Sequence, residues 1–453
     1  MGMVVEGWLE RAAAAEPARA AIETPRGSRS YAQLLEDARA AATELRAQGV
    51  VAGARVAIAL PPGLAFAQAL HACLLLGAVA VPVDLRLSAA ERERIAAGAA
   101  IVVEEPLDTD APAVDKSAPA AAIAPPADGH DLDATAVVIH TSGTTAAPRP
   151  VALTYGNFLW SALGSAVALG LDTRERWLCA LPLSHVGGLS ILMRSAIYGT
   201  TAVVHERFDT QAVLHALDER EITLVSLVAT TLGRLLDAGL EQPPALRCAL
   251  TGGGPVPSAL LERAREAGVP VSQTYGLTES CSQATTTPLA AIGEDPRAAG
   301  TPLFCTKVEV VPDGEILLAG PTIAPGGRDA GDGWLHTGDL GELDEDGRLR
   351  VRGRASETIV SGGENVAPSE VEAVLEAHPG VLEAAVLGRP DPQWGEAVTA
   401  IVVARPGAAL AEEGLRAHCG ASLASFKVPK QFVLTADPLP RTRSGKLLRR
   451  ELT

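Results

Sequence analysis

Short apolar runs alternate with longer stretches of helical period over the first two-thirds of the chain. Arg55–Leu60, Ala136–Ile139, Thr201–Val204, Thr223–Leu227 and Cys248–Thr251 are short, rich in β-branched and aliphatic residues, and predict strands. Between them, Tyr31–Gln48, Asn157–Leu169, Thr210–Glu221 and Ser258–Ala267 place apolar side chains every three or four positions and predict amphipathic helices. Strand and helix in alternation imply parallel sheets covered by helices. From Lys307 to Val351 the texture changes to short strands joined by turns such as Pro312-Asp313-Gly314 and Asp344-Glu345-Asp346-Gly347. After Arg354 a compact β/α pattern follows, with strands Thr358–Val360, Ala384–Leu387 and Thr399–Ala404 and helices Ser369–Ala377 and Leu410–Leu423. The stretch Ala111–Asp133, rich in Ala, Pro and Asp, predicts a surface connection.

The fold class expected from this pattern is α/β. A large N-terminal domain over residues 1–352 combines parallel-type sheets, covered by helices, with a small β-barrel-like part. A connecting stretch at 353–357 leads to a small α+β C-terminal domain at 358–453. A chain of 453 residues is long enough for such units, each with its own core.

Charge narrows the choice of partners. With 54 acidic and 38 basic side chains the net charge is −16, which disfavours nucleic acid, since phosphate neutralisation needs surplus Lys and Arg. An anionic substrate would need a local basic site. The six cysteines are scattered without a Cys-x-x-Cys pair, so neither a zinc site nor a disulfide framework is expected. The N-terminal residues have no basic-then-apolar signal pattern, and the longest apolar run, Ala69–Val83, is too short to span a bilayer. A soluble, cytoplasmic protein without membrane insertion is expected. A homo-oligomer stays open.

Four polar loops carry candidate chemistry. His140-Thr141-Ser142-Gly143-Thr144-Thr145-Ala146-Ala147-Pro148-Arg149-Pro150 follows an apolar strand, and its hydroxyls, backbone N–H groups and Arg149 could wrap anionic oxygens. A solvated Ser/Thr turn would look the same. Thr251-Gly252-Gly253-Gly254-Pro255 also follows a strand, and its glycines would let a ligand approach the backbone or simply form a tight turn. Gln273-Thr274-Tyr275-Gly276-Leu277-Thr278-Glu279 offers an aromatic for a base, hydroxyls for phosphate and a carboxylate for a magnesium ion. Trp334-Leu335-His336-Thr337-Gly338-Asp339 ends in a carboxylate suited to ribose hydroxyls.

In order along the chain, Thr141–Val151, Gly252–Pro255, Tyr275–Glu279, Thr337–Asp339, Gly353-Arg354 and Ser444-Gly445-Lys446 resemble the core motifs of the adenylate-forming acyl-CoA synthetase superfamily. Within it, Trp177–Ser195 (WLCALPLSHVGGLSILMRS), Val271–Gln283, Gly300–Phe304 and Ile359–Glu372 are similar to the 2-succinylbenzoate–CoA ligase family of menaquinone biosynthesis. The resemblance implies ATP, Mg2+ and CoA as co-substrates and cofactors, and 2-succinylbenzoate or a similar aromatic acid as the acid. It also implies a mobile C-terminal domain. The acid attacks the α-phosphate, giving acyl-AMP and pyrophosphate; the small domain rotates, and the thiol displaces AMP.

Residue by residue, the resemblance places Thr141, Ser142, Gly143, Thr144, Thr145 and Arg149 on the phosphates. Gly252, Gly253, Gly254, Pro255, Thr274, Tyr275, Gly276, Thr278, Asp339 and Arg354 fall around the nucleotide, and Glu279 at the metal. Lys446 becomes the lysine that enters when the small domain closes, where the residues alone would equally give a solvated basic tail. His185 becomes a wall of the acid pocket, with Gly253, where a lone histidine would otherwise be a core residue. Ser361, Gly362, Gly363, Lys427 and Trp394 fall on the path of CoA, and Ser356 or Glu357 is the hinge. Arg194 interrupts the apolar run Leu189–Ile197. Buried there, its charge needs an anion: either the substrate's spare carboxylate or an internal Asp or Glu.

One loop departs from the family pattern T-G-x-P-K-G, reading Thr145-Ala146-Ala147-Pro148-Arg149-Pro150. Ala146 restricts the backbone and Pro150 removes a donor, so weaker ATP binding or slower turnover is expected. Two other classes remain beside the CoA ligase: an adenylating enzyme that loads another acid or a carrier protein, and a non-catalytic nucleotide-binding relative.

Overall fold

The computed structural model describes residues 2–107, 129–141, 149–362, 364–441 and 447–452. The Ala111–Asp133 connection is therefore described only from Gly129 onward, where His130–Asp131 forms a short strand.

Two sheets dominate the first part of the chain. The nine-stranded sheet has a central parallel block, Val271–Tyr275, Cys248–Thr251, Leu224–Leu227, Arg176–Cys179, Thr201–Val204 and Ala20–Thr24, in that spatial order. Antiparallel strands close both ends: Gly27–Ser30 on one side, Thr285–Thr286 and Thr301–Pro302 on the other. The five-stranded sheet runs Ile101–Val103, Arg55–Ile58, Val79–Pro82, Thr135–Thr141, Arg149–Thr154, parallel except for the last edge strand. The alternating pattern thus describes the sheet centres; the antiparallel edges are additions to it. Their strands are too short or too polar to stand out in the sequence.

The helices that cover these sheets begin where their capping residues dictate. Tyr31–Ala47 starts after Ser30, whose hydroxyl accepts from the Gln33 N–H while the Gln33 side chain accepts from the Ser30 N–H. Tyr155–Leu169 starts in the same way after Thr154, paired with Asn157. That helix begins two residues earlier than its apolar periodicity predicts, because Asn157 is the third helical residue of the box. The largest core lies between the two sheets and includes Tyr31, Phe66, Tyr155, Phe158 and Trp177.

A four-stranded antiparallel sheet follows, in the order Lys307–Val310, Glu315–Ala319, Leu335–Leu343, Leu349–Arg354, over its own small core of Ile316, Leu318, Ile323, Leu335 and Leu349. Its last strand takes in Gly353 and Arg354, and a single 3-10 turn, Ala355–Glu357, comes next. The final sheet joins Glu364–Val366, Ile359–Ser361, Gly395–Ala404 and Val381–Asp391, with Gln431–Thr435 parallel to Gly395–Ala404. Helices Pro368–Glu376 and Glu412–Ser422 pack on it, around Val371, Leu375, Val386, Val398 and Leu415. All six cysteines are free, five of them buried. Among the described residues no helix is long and apolar enough to cross a membrane.

Candidate active site

Parallel strands in one sheet send their following loops to one edge, which is where ligands gather in α/β proteins. Leu181–His185 follows Arg176–Cys179, Gly252–Pro255 follows Cys248–Thr251, and Gly276–Glu279 follows Val271–Tyr275, so three candidate loops share the carboxyl edge of the nine-stranded sheet. The glycines there are sterically required. A Cβ at Gly252 would lie 2.7 Å from Thr274 Cγ2 and 2.8 Å from the Thr274 carbonyl oxygen; at Gly276 it would fall 1.9 Å from the Ser282 carbonyl oxygen. Gly253 has φ +80°. Beyond Glu279 the chain turns sharply, with Cys281 and Ser282 at φ +54° and +91°. Such strain in residues with side chains concentrates where a fold holds a site in place. Ser280 locks the turn, its hydroxyl accepting from the Leu277 N–H at 2.9 Å.

The Thr274 hydroxyl donates to the Thr285 carbonyl at 2.7 Å and lies 3.0 Å from the Thr286 hydroxyl, bonds that hold it within the sheet. What Thr274 contributes is the wall against which Gly252 packs. Thr278, half-buried, lies in the turn itself.

Tyr275, Asp339 and Arg354 meet around one carboxylate. The Tyr275 hydroxyl donates to Asp339 Oδ2 at 2.8 Å, and Arg354 Nε lies 2.9 Å from Asp339 Oδ1. Asp339 and Arg354 are cross-strand partners, which sets this approach, and Asp339 is 6% exposed. Burial and the adjacent Asp339 charge push the Tyr275 hydroxyl well above its ordinary pKa, so it stays a donor. The Asp339 N–H donates to the Thr337 hydroxyl at 3.0 Å, that hydroxyl donates to the Ile316 carbonyl, and the Gly338 N–H donates to Glu315 Oε1 at 2.9 Å. The carboxylate predicted for ribose is thus held on several sides.

Glu279 is half-buried, and no Lys or Arg among the described residues forms an ion pair with it. Its carbonyl accepts from the Ala324 N–H at 2.7 Å, tying the turn to the next loop. No cluster of three or more metal-ligating side chains occurs among the described residues. A single free carboxylate fits Mg2+, which keeps most of its coordination for water and phosphate oxygens.

His185 opens helix Val186–Tyr198 from its N-cap position. Burial drives its imidazole below the ordinary pKa, the Asp84 carboxylate partly offsetting this from 4.0 Å, so the ring is neutral at pH 7. Asp84 follows strand Val79–Pro82 of the other sheet. Arg86 holds it at 2.6 Å through Nη2 and 2.8 Å through Nε, and these bonds outweigh burial to keep its carboxyl below the usual range. The carboxyl edges of the two sheets meet here. On the same edge of the five-stranded sheet, Thr141 and Arg149 are paired across two antiparallel strands, with Arg149 exposed. Pro150 stands in the edge strand, opposite His140, the place where a sheet tolerates a residue without an N–H. Ser142, Gly143, Thr144 and Thr145 lie outside the described residues.

Arg194 lies on the same helix as His185, 2% exposed. Its Nη2 donates to the Ser161 hydroxyl at 3.1 Å, its guanidinium stacks 5.6 Å from the Trp177 ring centroid, and its Nε has no partner. No Asp or Glu among the described residues lies within ion-pair distance, so the internal salt bridge that the sequence left open is not formed. Burial lowers its pKa, and its polar neighbours Tyr198 and Cys281 are themselves pushed up to about 12, hence neutral. Ser161 in turn donates to the Cys281 carbonyl at 2.7 Å. The cation therefore sits directly beneath the strained turn that carries Glu279.

In the small domain, Gly362 has φ +61°, a Cβ there would fall 3.0 Å from the Trp394 ring, and its N–H donates to the Trp394 carbonyl at 2.7 Å. Lys430 stands 4.8 Å over the same ring. Ser361 is buried, its hydroxyl without a partner. Lys427 is paired with Glu370 at 2.6 Å. Ser356 and Glu357 both fall in the 3-10 turn Ala355–Glu357, and only Glu357 has a charged partner, Arg449 at 3.2 Å. Lys446 and Gly363 lie outside the described residues.

Sequence reasoning missed Asp84, Arg86, Ser161 and Glu315. Asp84-Leu85-Arg86 carried a weak signal, a carboxylate and a guanidinium just past an apolar strand that ends in Pro-Val. Ser161 and Glu315 carried none, since their roles arise from chain segments far away.

Comparison with known proteins agrees with this geometry. The family model described as AMP-binding enzyme matches residues 9–326, and the AMP-binding enzyme C-terminal domain matches 370–446. A 2-succinylbenzoate–CoA ligase from Bacillus licheniformis is 40% identical, with 98% of each chain covered. The structure of the o-succinylbenzoate CoA synthetase of Bacillus subtilis in complex with the acyl-adenylate intermediate superposes with a TM-score of 0.89 at 37% identity, covering 99% of this chain and 98% of that one. The same synthetase with ATP and magnesium ion gives 0.87 at 36%, covering 99% and 100%. Matched from end to end in sequence and in fold, the chain belongs to the AMP-binding enzyme family, alongside the 2-succinylbenzoate–CoA ligases.

Proposed function

We propose that the chain is an ATP-dependent acid–thiol ligase that activates 2-succinylbenzoate as its acyl-adenylate and passes the acyl group to CoA, the step implied for menaquinone biosynthesis. The observation that carries the choice of acid is Arg194. A guanidinium sealed under the site turn, with an unpartnered N–H and no carboxylate within ion-pair distance among the described residues, has no counter-charge there. A dicarboxylic acid supplies the missing anion: its succinyl carboxylate reacts and its aromatic carboxylate answers Arg194, directly or through a water.

In the first half-reaction an oxygen of the succinyl carboxylate bonds to the α-phosphorus as the bond to pyrophosphate breaks. Such a transfer is catalysed chiefly by positioning and charge. Asp339, oriented by Tyr275 and Arg354, accepts from the ribose hydroxyls. The Gly252–Gly254 backbone allows close approach of the nucleotide and the acid. Neutral His185 lines the acid and donates toward the forming acyl-phosphate. Glu279 holds Mg2+, which draws charge from the phosphates. Arg149 faces the departing pyrophosphate, and Lys446 supplies positive charge at the α-phosphate. In the second half-reaction the CoA thiolate attacks the acyl carbonyl and AMP leaves, with Ser361, Gly362, Gly363, Lys427 and Trp394 on the thiol's path. The domains are 1–352 and 358–453, hinged at Ser356 or Glu357. A cytoplasmic location suits an enzyme whose substrates are small charged molecules.

The test is pyrophosphate release from ATP across a panel of mono- and dicarboxylic aromatic acids, with and without CoA. Release and thioester formation should peak with 2-succinylbenzoate. A peak with another acid overturns the substrate, and acid-dependent release without any CoA thioester points to a carrier protein.

A further inference from the structure

Described arginines stand on both sides of Lys446 in the sequence, Arg441 before it and Arg449 after it. Arg441 pairs with Glu383 at 2.8 Å and forms an isolated β-bridge with Leu447, the residue just after the lysine. Arg449 joins three elements. Its Nη2 donates to Glu372 Oε2 at 3.0 Å and its Nη1 to Glu372 Oε1, making a two-pronged pair with helix Pro368–Glu376. Nη1 also donates to the Val386 carbonyl at 3.1 Å, on the edge strand Val381–Asp391 of the small sheet, and Nε reaches Glu357 Oε2 at 3.2 Å, in the 3-10 turn of the hinge. Glu372 is itself fixed from the other side, accepting from the Val386 N–H at 2.7 Å. Burial disfavours the Arg449 charge, but the two carboxylates more than offset it.

The geometry is more specific than tail packing requires. Leu439, Leu447 and Leu452 already pin the tail to an apolar patch with Ala385, Ile401 and Val403. A planar fork satisfied by a helix, a strand and the hinge turn sets orientation as well as attachment.

We propose that Arg449 is a positioning residue for the adenylation half-reaction: three residues after Lys446, it fixes the segment that follows the lysine to helix Pro368–Glu376, to the sheet edge and to hinge residue Glu357, so that rotation at the hinge is carried into that segment. This rests on the role of Lys446 given above. The thioester half-reaction does not use that lysine and is indifferent to Arg449.

Arg449→Met keeps the stem and removes the fork. The expected result is an adenylation kcat lowered by about 10- to 100-fold, as for a modest misplacement of a reacting group. The KM values for ATP and acid should stay within about twofold, and so should thioester formation from supplied acyl-AMP. Arg449→Lys, which keeps the charge without the fork, should recover only part of the loss, and Glu357→Gln should lower adenylation in the same selective way. An unchanged adenylation rate, or equal losses in both half-reactions by Arg449→Lys, overturns the proposal. If Arg449→Met loses both halves through misfolding, the Arg449→Lys comparison decides. Lys446→Ala, run in parallel, separates the premises: if it leaves adenylation intact, the lysine's role fails whatever Arg449 does.

Discussion

Replacing Arg194 by methionine should make the free protein more stable and the enzyme worse. The side chain is 2% exposed, and taking a guanidinium out of water costs several kcal/mol even after relaxation. Against this stand one hydrogen bond to Ser161 at 3.1 Å, about 1.5–3 kcal/mol for a charged donor, and the Trp177 ring at 5.6 Å, about 0.5–2 kcal/mol. Among the described residues no carboxylate closes the gap. Methionine fills a similar volume, and Ser161 keeps its bond to the Cys281 carbonyl, so no buried polar group is orphaned. Replacing buried ionic groups by apolar ones of like volume gains about 1–4 kcal/mol in other proteins, and a gain in that range is expected here. Chemical denaturation of the free enzyme measures it. In the same variant the KM for 2-succinylbenzoate should rise by about tenfold or more while the KM for ATP holds. At a fixed acid concentration, the acid should raise the melting temperature of the parent protein by more than that of the variant. A variant that is less stable than the parent and binds the acid with unchanged KM would refute the reasoning, because it would mean that Arg194 is a satisfied structural cation.

Tyr275→Phe removes the hydroxyl that orients Asp339 and should raise the KM for ATP by about tenfold, near 1.4 kcal/mol, with little loss of stability; an unchanged KM would remove Tyr275 from the ribose site. Glu279→Gln should raise the Mg2+ concentration needed for half-maximal pyrophosphate release several-fold, and chelation of Mg2+ should stop release in the parent; equal Mg2+ curves would exclude Glu279 as a ligand. His71 and His130 are buried, and burial lowers each from 6.5 to about 4. The unfolded chain therefore takes up protons first as pH falls, and stability is lost between pH 6.5 and 4, by up to about 3 kcal/mol per residue. His71→Leu should flatten that slope by its share in unfolding titrations, and an unaltered slope would show that His71 is not the group being titrated.

How much of this was legible beforehand differs by element. The central strands Thr201–Val204 and Cys248–Thr251 stood out because both faces are covered, leaving an unbroken apolar run. Edge strands such as Glu364–Val366 and Gln431–Thr435 did not: half-exposed, they carry polar residues that read as loop. Helix starts were blurred where a capping box, Thr154 with Asn157, encloses the first helical residues Tyr155 and Gly156 ahead of the apolar periodicity. Asp339 and Arg354 were legible as motif positions, but the Tyr275 contact that joins them depends on how two different sheets pack. Arg194 was conspicuous as a charge in an apolar run. Whether a carboxylate met it could be decided only in three dimensions, since any of the acidic residues could have been folded against it.

The most direct measurement is a single-turnover reaction of the full chain with ATP, Mg2+ and 2-succinylbenzoate in the absence of CoA, quenched and read by mass spectrometry. The account predicts one 2-succinylbenzoyl-adenylate per pyrophosphate released, held until CoA is added and then converted to the thioester and AMP. Release of ADP and phosphate, or pyrophosphate formed without any acyl-adenylate, would contradict it.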